Sequence, residues 1–176
     1  MGNPRPMDRR FDKPAMESLV DLINKSNKSY IPQGSIDADR VTPVPSDDPE
    51  LYNTSVRVCL KGTLATGPYS TMTYARLDIS EYLPFPDFFH FEDADDTNSL
   101  FQQLREKHHI WLSGEDCAVV IGPRGTNGLR TITFVPMIGH YVWTGQLTVE
   151  AGSLNHIGNE IAYTDLTGLT LGQLTA

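Results

Sequence analysis

Apolar positions between Leu129 and Val149 fall into two β-favouring runs, Leu-Arg-Thr-Ile-Thr-Phe-Val-Pro and His-Tyr-Val-Trp-Thr-Gly-Gln-Leu-Thr-Val, on either side of Met-Ile-Gly. β-Branched and aromatic residues flanking a short glycine-containing connection predict a β-hairpin. In its second arm Tyr141, Trp143, Leu147 and Val149 share one side of the pleat, and His140, Thr144, Gln146 and Thr148 take the other. That alternation describes a half-buried antiparallel strand. Tyr141 and Trp143 each bring about 150–250 Å² of surface to bury, so this hairpin is the expected anchor of the core.

The pattern elsewhere is sparser. Met16, Leu19, Val20 and Ile23 lie at helical spacing and predict a short helix, with Asp12 as its cap and Pro14 in its first turn. The Asn-Lys-Ser-Asn-Lys-Ser stretch from Asn24 is rich in poor helix formers, so the helix is expected to fray there. Residues 30–50 hold only isolated apolar positions among Pro, Asp, Gly and Ser, which predicts an extended loop. Val56, Val58 and Leu60 alternate within a strand from Ser55 to Lys61, and Ala75, Leu77 and Ile79 within a second from Thr71 to Ile79. A short connection rich in Gly and Pro makes these two a hairpin. Leu100, Phe101 and Leu104 follow an acidic stretch and predict a helix of about three turns, capped by Asp96 or Thr97 and closed by Lys107, His108 and His109. Cys117 to Ile121 is a short apolar strand leading into the main hairpin. The expected fold is α+β: a small antiparallel sheet or sandwich-like domain with two short helices. Its core spans residues 14–150, between an N-terminal arm (1–13) and a C-terminal arm (151–176).

Composition narrows the function. Hydrophobic residues make up 39% of the chain, alongside 14 Gly and 12 Pro; typical domains hold roughly 45–50% apolar residues with glycine counted. A modest core with much irregular chain follows. A net charge of -8 argues against nucleic acid as a partner, because that grip depends on clustered Lys and Arg. No apolar run is long enough to span a membrane, and the Met-Gly-Asn-Pro-Arg-Pro start lacks the apolar region of a signal peptide. The expectation is a soluble protein made in a cytoplasm. Cys59 and Cys117 are too few and too far apart for a zinc knuckle and read as buried free thiols.

No stretch carries a recognisable chemistry. The Gly122 to Gly128 loop lacks the Gly-Lys-Ser/Thr ending that holds phosphate and metal. Asp93, Asp95 and Asp96 lack the alternation of a calcium loop and read as a solvated helix start. The adjacent His108 and His109 point about 100° apart on a helix and do not share a metal readily. No local signature joins a Ser or Cys to a His and a carboxylate. A non-enzymatic protein without cofactor or metal is therefore expected. Two stretches suit contacts instead. The loop Tyr82 to Phe91 carries six aromatic or imidazole groups, which either fold over the domain's own sheet or meet another subunit; Phe85, Phe88, Phe89 and Phe91 are its candidate contact residues. In the C-terminal arm Leu166, Leu169, Leu171 and Leu174 recur among Thr and Gly with almost no charge, as in a segment that either docks on a neighbouring subunit by strand addition or packs against its own sheet.

Four segments together resemble a group of uncharacterised virion structural proteins of large tailed bacteriophages. They are Leu-Ile-Asn-Lys-Ser-Asn (Leu22 to Asn27), Tyr-Asn-Thr-Ser-Val-Arg-Val (Tyr52 to Val58), Thr-Tyr-Ala-Arg-Leu-Asp-Ile (Thr73 to Ile79) and Tyr-Val-Trp-Thr-Gly-Gln-Leu-Thr-Val (Tyr141 to Val149). The likeness covers about residues 15–150, and its motifs are structural, with no catalytic residue among them. It implies a non-enzymatic virion component, assembled in the host cytoplasm as a homo- or hetero-oligomer with other virion proteins. Binding would run through the arms and a sheet edge, without nucleic acid or membrane. The alternative is a carbohydrate- or receptor-binding β module, with exposed Trp and Tyr as the platform.

Overall fold

The computed structural model describes residues 11–45, 47, 52–83, 88–92 and 95–153. In chain order the elements are α1 (Ala15–Asn27), β1 (Ile36–Pro43), β2 (Thr54–Leu60), β3 (Ser70–Tyr74), β4 (Leu77–Asp78), α2 (Ile79–Tyr82), β5 (Phe88–His90), α3 (Asn98–His108), β6 (Cys117–Ile121), β7 (Arg130–Pro136), β8 (Trp143–Thr144) and β9 (Leu147–Gly152). Three sheets result, ordered β1-β2-β3, β4-β8 and β5-β9-β7-β6. Most pairings are antiparallel, with β4 on β8 and β5 on β9 parallel. The fold is α+β around one contiguous apolar cluster.

The main hairpin forms, but its second arm starts later than the alternation suggests. β7 pairs with β9 from Phe134 opposite Leu147 to Arg130 opposite Ala151. Tyr141 and Trp143 precede that ladder, and Gly145, at φ 72°, turns the chain between them and β9. Trp143 instead joins β8, beside Leu77 of β4. It is still a core anchor at 1% exposure, with Phe11 and Tyr82 edge-on at ring-centroid distances of 5.4 and 5.1 Å. Phe11 thereby brings the end of the N-terminal arm into the core, and its backbone pairs with His109 and Trp111.

Helix α1 buries Leu19, Val20 and Ile23, as their spacing implies. Two expectations for it need correction. Asp12 makes no cap; Pro14 occupies that position, with no side-chain cap hydrogen bond. Nor does the helix fray at Asn24, because its polar end is tied down. The Asn24 amide exchanges hydrogen bonds with the Ile31 backbone, and Asn27 Nδ2 donates to Ile23 O and to Thr73 O of β3. The β2–β3 hairpin is present, with Val56 opposite Met72, but β3 ends at Tyr74 and Leu77 leaves for β4. Cys59 and Cys117 are free and buried.

Residues 36–43, expected as loop, form the eight-residue strand β1. Its Ile36 and Ala38 face the core while Asp37 and Asp39 face out, and Arg57 of β2 binds the Asp39 carboxylate through Nε at 2.6 Å and through a second contact from Nη2. Aspartate is a poor strand former, so the alternation was hidden by its polar half. The aromatic stretch also contains structure: β5 lies within it, and it opens on Tyr82, the last residue of α2, a helix that takes Ile79 out of the expected strand. α3 begins at Asn98, where Asp96 rather than Thr97 accepts from the backbone N–H of Asn98 at 3.2 Å.

Two measurements test this core. Trp143→Ala is expected to cost about 3–5 kcal/mol, the range for deleting a large buried aromatic, read as a lowered urea midpoint. Burial pushes the Cys117 thiol up to about 12, and thiolate is the reactive form. Cys117 should then not react with a thiol reagent at neutral pH until denaturant is added.

Candidate functional site

The group that most resembles catalytic machinery is His140 beside Asp116. His140 is buried in the ten-residue connection between β7 and β9. Its Nδ1 accepts the backbone N–H groups of both Val142 and Trp143 at 3.0 Å, so that nitrogen carries no proton and the neutral ring holds its proton on Nε2. Nε2 faces Asp116 Oδ2 at 3.4 Å, within ion-pair range, and it has no better partner among the described residues. Asp116 Oδ1 accepts from the Ser113 N–H at 2.8 Å and the Ser113 hydroxyl at 3.0 Å. Burial alone would push the Asp116 carboxyl up, but His140 and the two Ser113 donors outweigh it and hold the carboxyl below its ordinary value.

This order of contacts is not that of a Ser-His-Asp relay. A Ser-His-Asp relay needs the imidazole between hydroxyl and carboxylate, whereas here the carboxylate lies between. Nδ1 of His140 is taken up by the backbone and Nε2 faces Asp116, beside an open cleft of about 260 Å³ lined by Ala15, Glu115, Ile138 and Tyr141. The group is a fastening. It fixes the backbone that seats Trp143, and neighbouring bonds extend it to the first sheet: Tyr74 Oη donates to Tyr141 O, Tyr141 Oη to Ala38 O, and Arg76 Nη1 to His140 O. Among the described residues no three His, Cys, Asp or Glu side chains form a metal-binding group.

The candidate contact residues divide. Phe89 and Phe91 are buried in the chain's own core, Phe89 with its ring 6.0 Å from that of Phe134, so neither offers surface to a partner. Folding back wins at these positions because β5 adds to β9 and turns Phe89 inward. Phe88 is half-buried in the same strand. Phe85, Leu166, Leu169, Leu171 and Leu174 lie outside the described residues.

The surface that the sequence did not single out is the edge of the four-stranded sheet. Other edges carry a side-chain contact on at least one outward backbone group. At β5, Gln103 of α3 takes the place of a strand: its Oε1 accepts from His90 N at 2.8 Å and its Nε2 donates to His90 O at 2.7 Å. At β1 the Tyr141 hydroxyl occupies Ala38 O, and at β3 the Asn27 amide occupies Thr73 O. β6 differs. Met137 N donates to Asp116 O and Gly122 N to Thr131 O, which sets the phase of the ladder, because antiparallel pairs alternate between bonded and non-bonded positions. Val119 and Ile121 fall at the non-bonded positions opposite Phe134 and Ile132, so their N–H and C=O groups point away from β7. Among the described residues nothing pairs with them.

The side chains along this edge are apolar and uncharged. Val120 is 57% exposed and Ile121 38%. At the other end of the strand, Met137 and Ile138 are also exposed. Lys, Pro and inward charges are the usual guards of a sheet edge, and Cys-Ala-Val-Val-Ile has none. Ala118, Val120, Thr131 and Thr148 carry the open surface on across the outer face of the same sheet, where Thr133 and Thr148 share a hydrogen bond.

A family model described as a family of unknown function (DUF7941) matches residues 9–173. The chain belongs to that family. No curated protein and no solved structure matches it. The match to DUF7941 runs through the whole described region and onward past Ser153, so the β6 edge and most of the C-terminal segment fall within one family unit.

The fastening in this DUF7941 chain has a pH signature. Because the folded Asp116 carboxyl sits below its ordinary value of about 3.9, its contribution is present above that value. It is lost as the pH falls through the depressed folded value. Wild type should therefore exceed Asp116→Asn in urea-melt stability at neutral pH, with the gap shrinking as pH drops below about 4.

Proposed function

We propose that the protein is a non-enzymatic assembly subunit, of the kind that builds tailed-phage particles in the host cytoplasm, and that it joins neighbouring virion proteins through a sheet edge. The observation that carries this reading is the uncapped, uncharged β6 strand, whose outward backbone groups are free at Val119 and Ile121. An added strand would satisfy those groups while its alternate side chains meet Val120, Ile121 and the outer face. The occupation of His140 Nδ1 by two backbone N–H groups supports a non-catalytic role. The resemblance at residues 22–27, 52–58, 73–79 and 141–149 supplies the particle context.

The carbohydrate-binding alternative loses its platform residue, since Trp143 is enclosed by Phe11 and Tyr82 and the Tyr141 hydroxyl is used within the fold. Acidic net charge speaks against a nucleic-acid partner. Among the described residues no helix is long and apolar enough to cross a membrane.

Quantitative mass spectrometry of purified particles tests the reading. The chain should be present at a fixed copy number, in whole-number ratio to other particle proteins. Absence, or a trace level that varies between preparations, would refute it.

A further inference from the structure

Resting on the assembly reading, we propose that the strand added to β6 is supplied by residues 154–176 of a second copy of this chain. The acceptor is described above: an apolar edge strand with its outward N–H and C=O groups unpaired and no charge to deter pairing. The donor is argued from composition, length and point of departure. Residues 154–176 contain Leu154, Ile157, Ile161, Leu166, Leu169, Leu171 and Leu174 against only two charges, Glu160 and Asp165. The stretch Leu166-Thr-Gly-Leu-Thr-Leu places Leu169 and Leu171 two apart, so on an extended chain they fall on one face. The uncharged edge matches the uncharged stretch 166–171 of the donor.

Reach is ample. At ~3.3 Å per residue an extended donor of this length spans up to about 75 Å, several times the length of β6. The point of departure favours a second copy over the chain's own edge. Chain leaves the described fold at Gly152 and Ser153, where β9 is already flanked by β5 and β7. Residues 122–129, the connection from β6 to β7, stand between that exit and the β6 edge. Leu129 packs so closely on Gly152 that a Cβ there would lie 2.8 Å from Leu129 Cδ2. A donor returning to its own β6 would have to pass around this loop, whereas a neighbour's β6 is reached without it. The contact is head-to-tail, each copy giving a strand and accepting one, so it propagates into a ring or a filament according to the angle between copies.

The test uses full-length chains and measures mass by light scattering over a concentration series. Wild type should form oligomers that grow with concentration. Val119→Pro removes an outward N–H and leaves the β6–β7 ladder bonds in place, as proline is tolerated on the open side of an edge strand. Val120→Lys, at an exposed position, adds an edge guard without touching the core. A donor variant, Leu169→Lys with Leu171→Lys, leaves the edge intact. Each variant alone should be monomeric with a wild-type far-UV spectrum. Mixing the proline variant with the donor variant should restore heterodimer, since one retains the donor and the other the acceptor. Failure of that mixture to associate, or a monomeric wild type, overturns the proposal. Oligomers lost in the edge variants but kept in the donor variant also overturn it, while leaving the edge reading standing; oligomers indifferent to both edge variants remove the edge reading as well.

Discussion

The β7–β9 connection holds its shape because one imidazole nitrogen accepts two consecutive backbone N–H groups. Residues 137–146 are too long for a tight turn and must cross from one sheet to the other, so their backbone donors need partners inside the protein. A buried N–H left unsatisfied costs on the order of 1–3 kcal/mol. His140 Nδ1 satisfies two, at Val142 and Trp143, and the strand β8 that results can then pair with β4. Tyr74, Arg76 and Tyr141 hold the same segment from the three-stranded sheet. Through this one connection the small β4–β8 pair, the Trp143 cluster and the two larger sheets become a single body.

That design gives the most catalytic-looking residues a structural task. An imidazole serves as a general base only if a ring nitrogen can take a proton from a reactant. In His140 the nitrogen without a proton is occupied by the backbone, and the other is turned to a carboxylate already held by Ser113. The carboxyl gains its depressed value from donors that also fasten the strand start. A perturbed carboxylate can reflect a structural ion-pair network as well as a functional site, and here the groups that shift it face one another.

Much of the fold was legible because burial imposes periodicity. The α1 stripe Leu19, Val20 and Ile23, the α3 stripe Leu100, Phe101 and Leu104, and the alternation through Val56 and Val58 all reached the core. What escaped was decided by long-range polar contacts. β1 reads as loop because Asp37 and Asp39 form its outer face, and only the distant Arg57 makes Asp39 acceptable there. Asn24 and Asn27 look like helix breakers until Ile31 and Thr73 are placed beside them. Trp143 reads as an anchor of the main hairpin yet pairs in β8, since Tyr141, Trp143 and Leu147 share a parity that Gly145 interrupts. The β6 edge left no signal of its own: Cys-Ala-Val-Val-Ile reads equally as a central strand or an edge. Sequence marks a strand's faces through alternation, whereas its neighbours are fixed by the topology.

The open edge is also a prepared one, and this bears on how strongly it could bind. Association costs the ordering of whatever is mobile in either partner. β6 is held along its length by β7 and secured at its start, where Asp116 accepts Met137 N through its carbonyl while its side chain is bound by Ser113 and faces His140. Its far end is closed by the Gly122 to Thr131 bond. The acceptor therefore presents its outward groups in strand geometry before any partner arrives, and the ordering cost falls on the incoming segment. A short edge of five residues offers few backbone bonds, each with a net value of about 0.5–1.5 kcal/mol, so hydrogen bonding alone gives weak pairing. Specific and lasting attachment requires apolar contact beside the ladder. Val120 and Ile121 at one end and Met137 and Ile138 at the other are the exposed groups positioned to provide it. An edge of this kind suits repeated contacts in an assembly, where many individually weak joints act together.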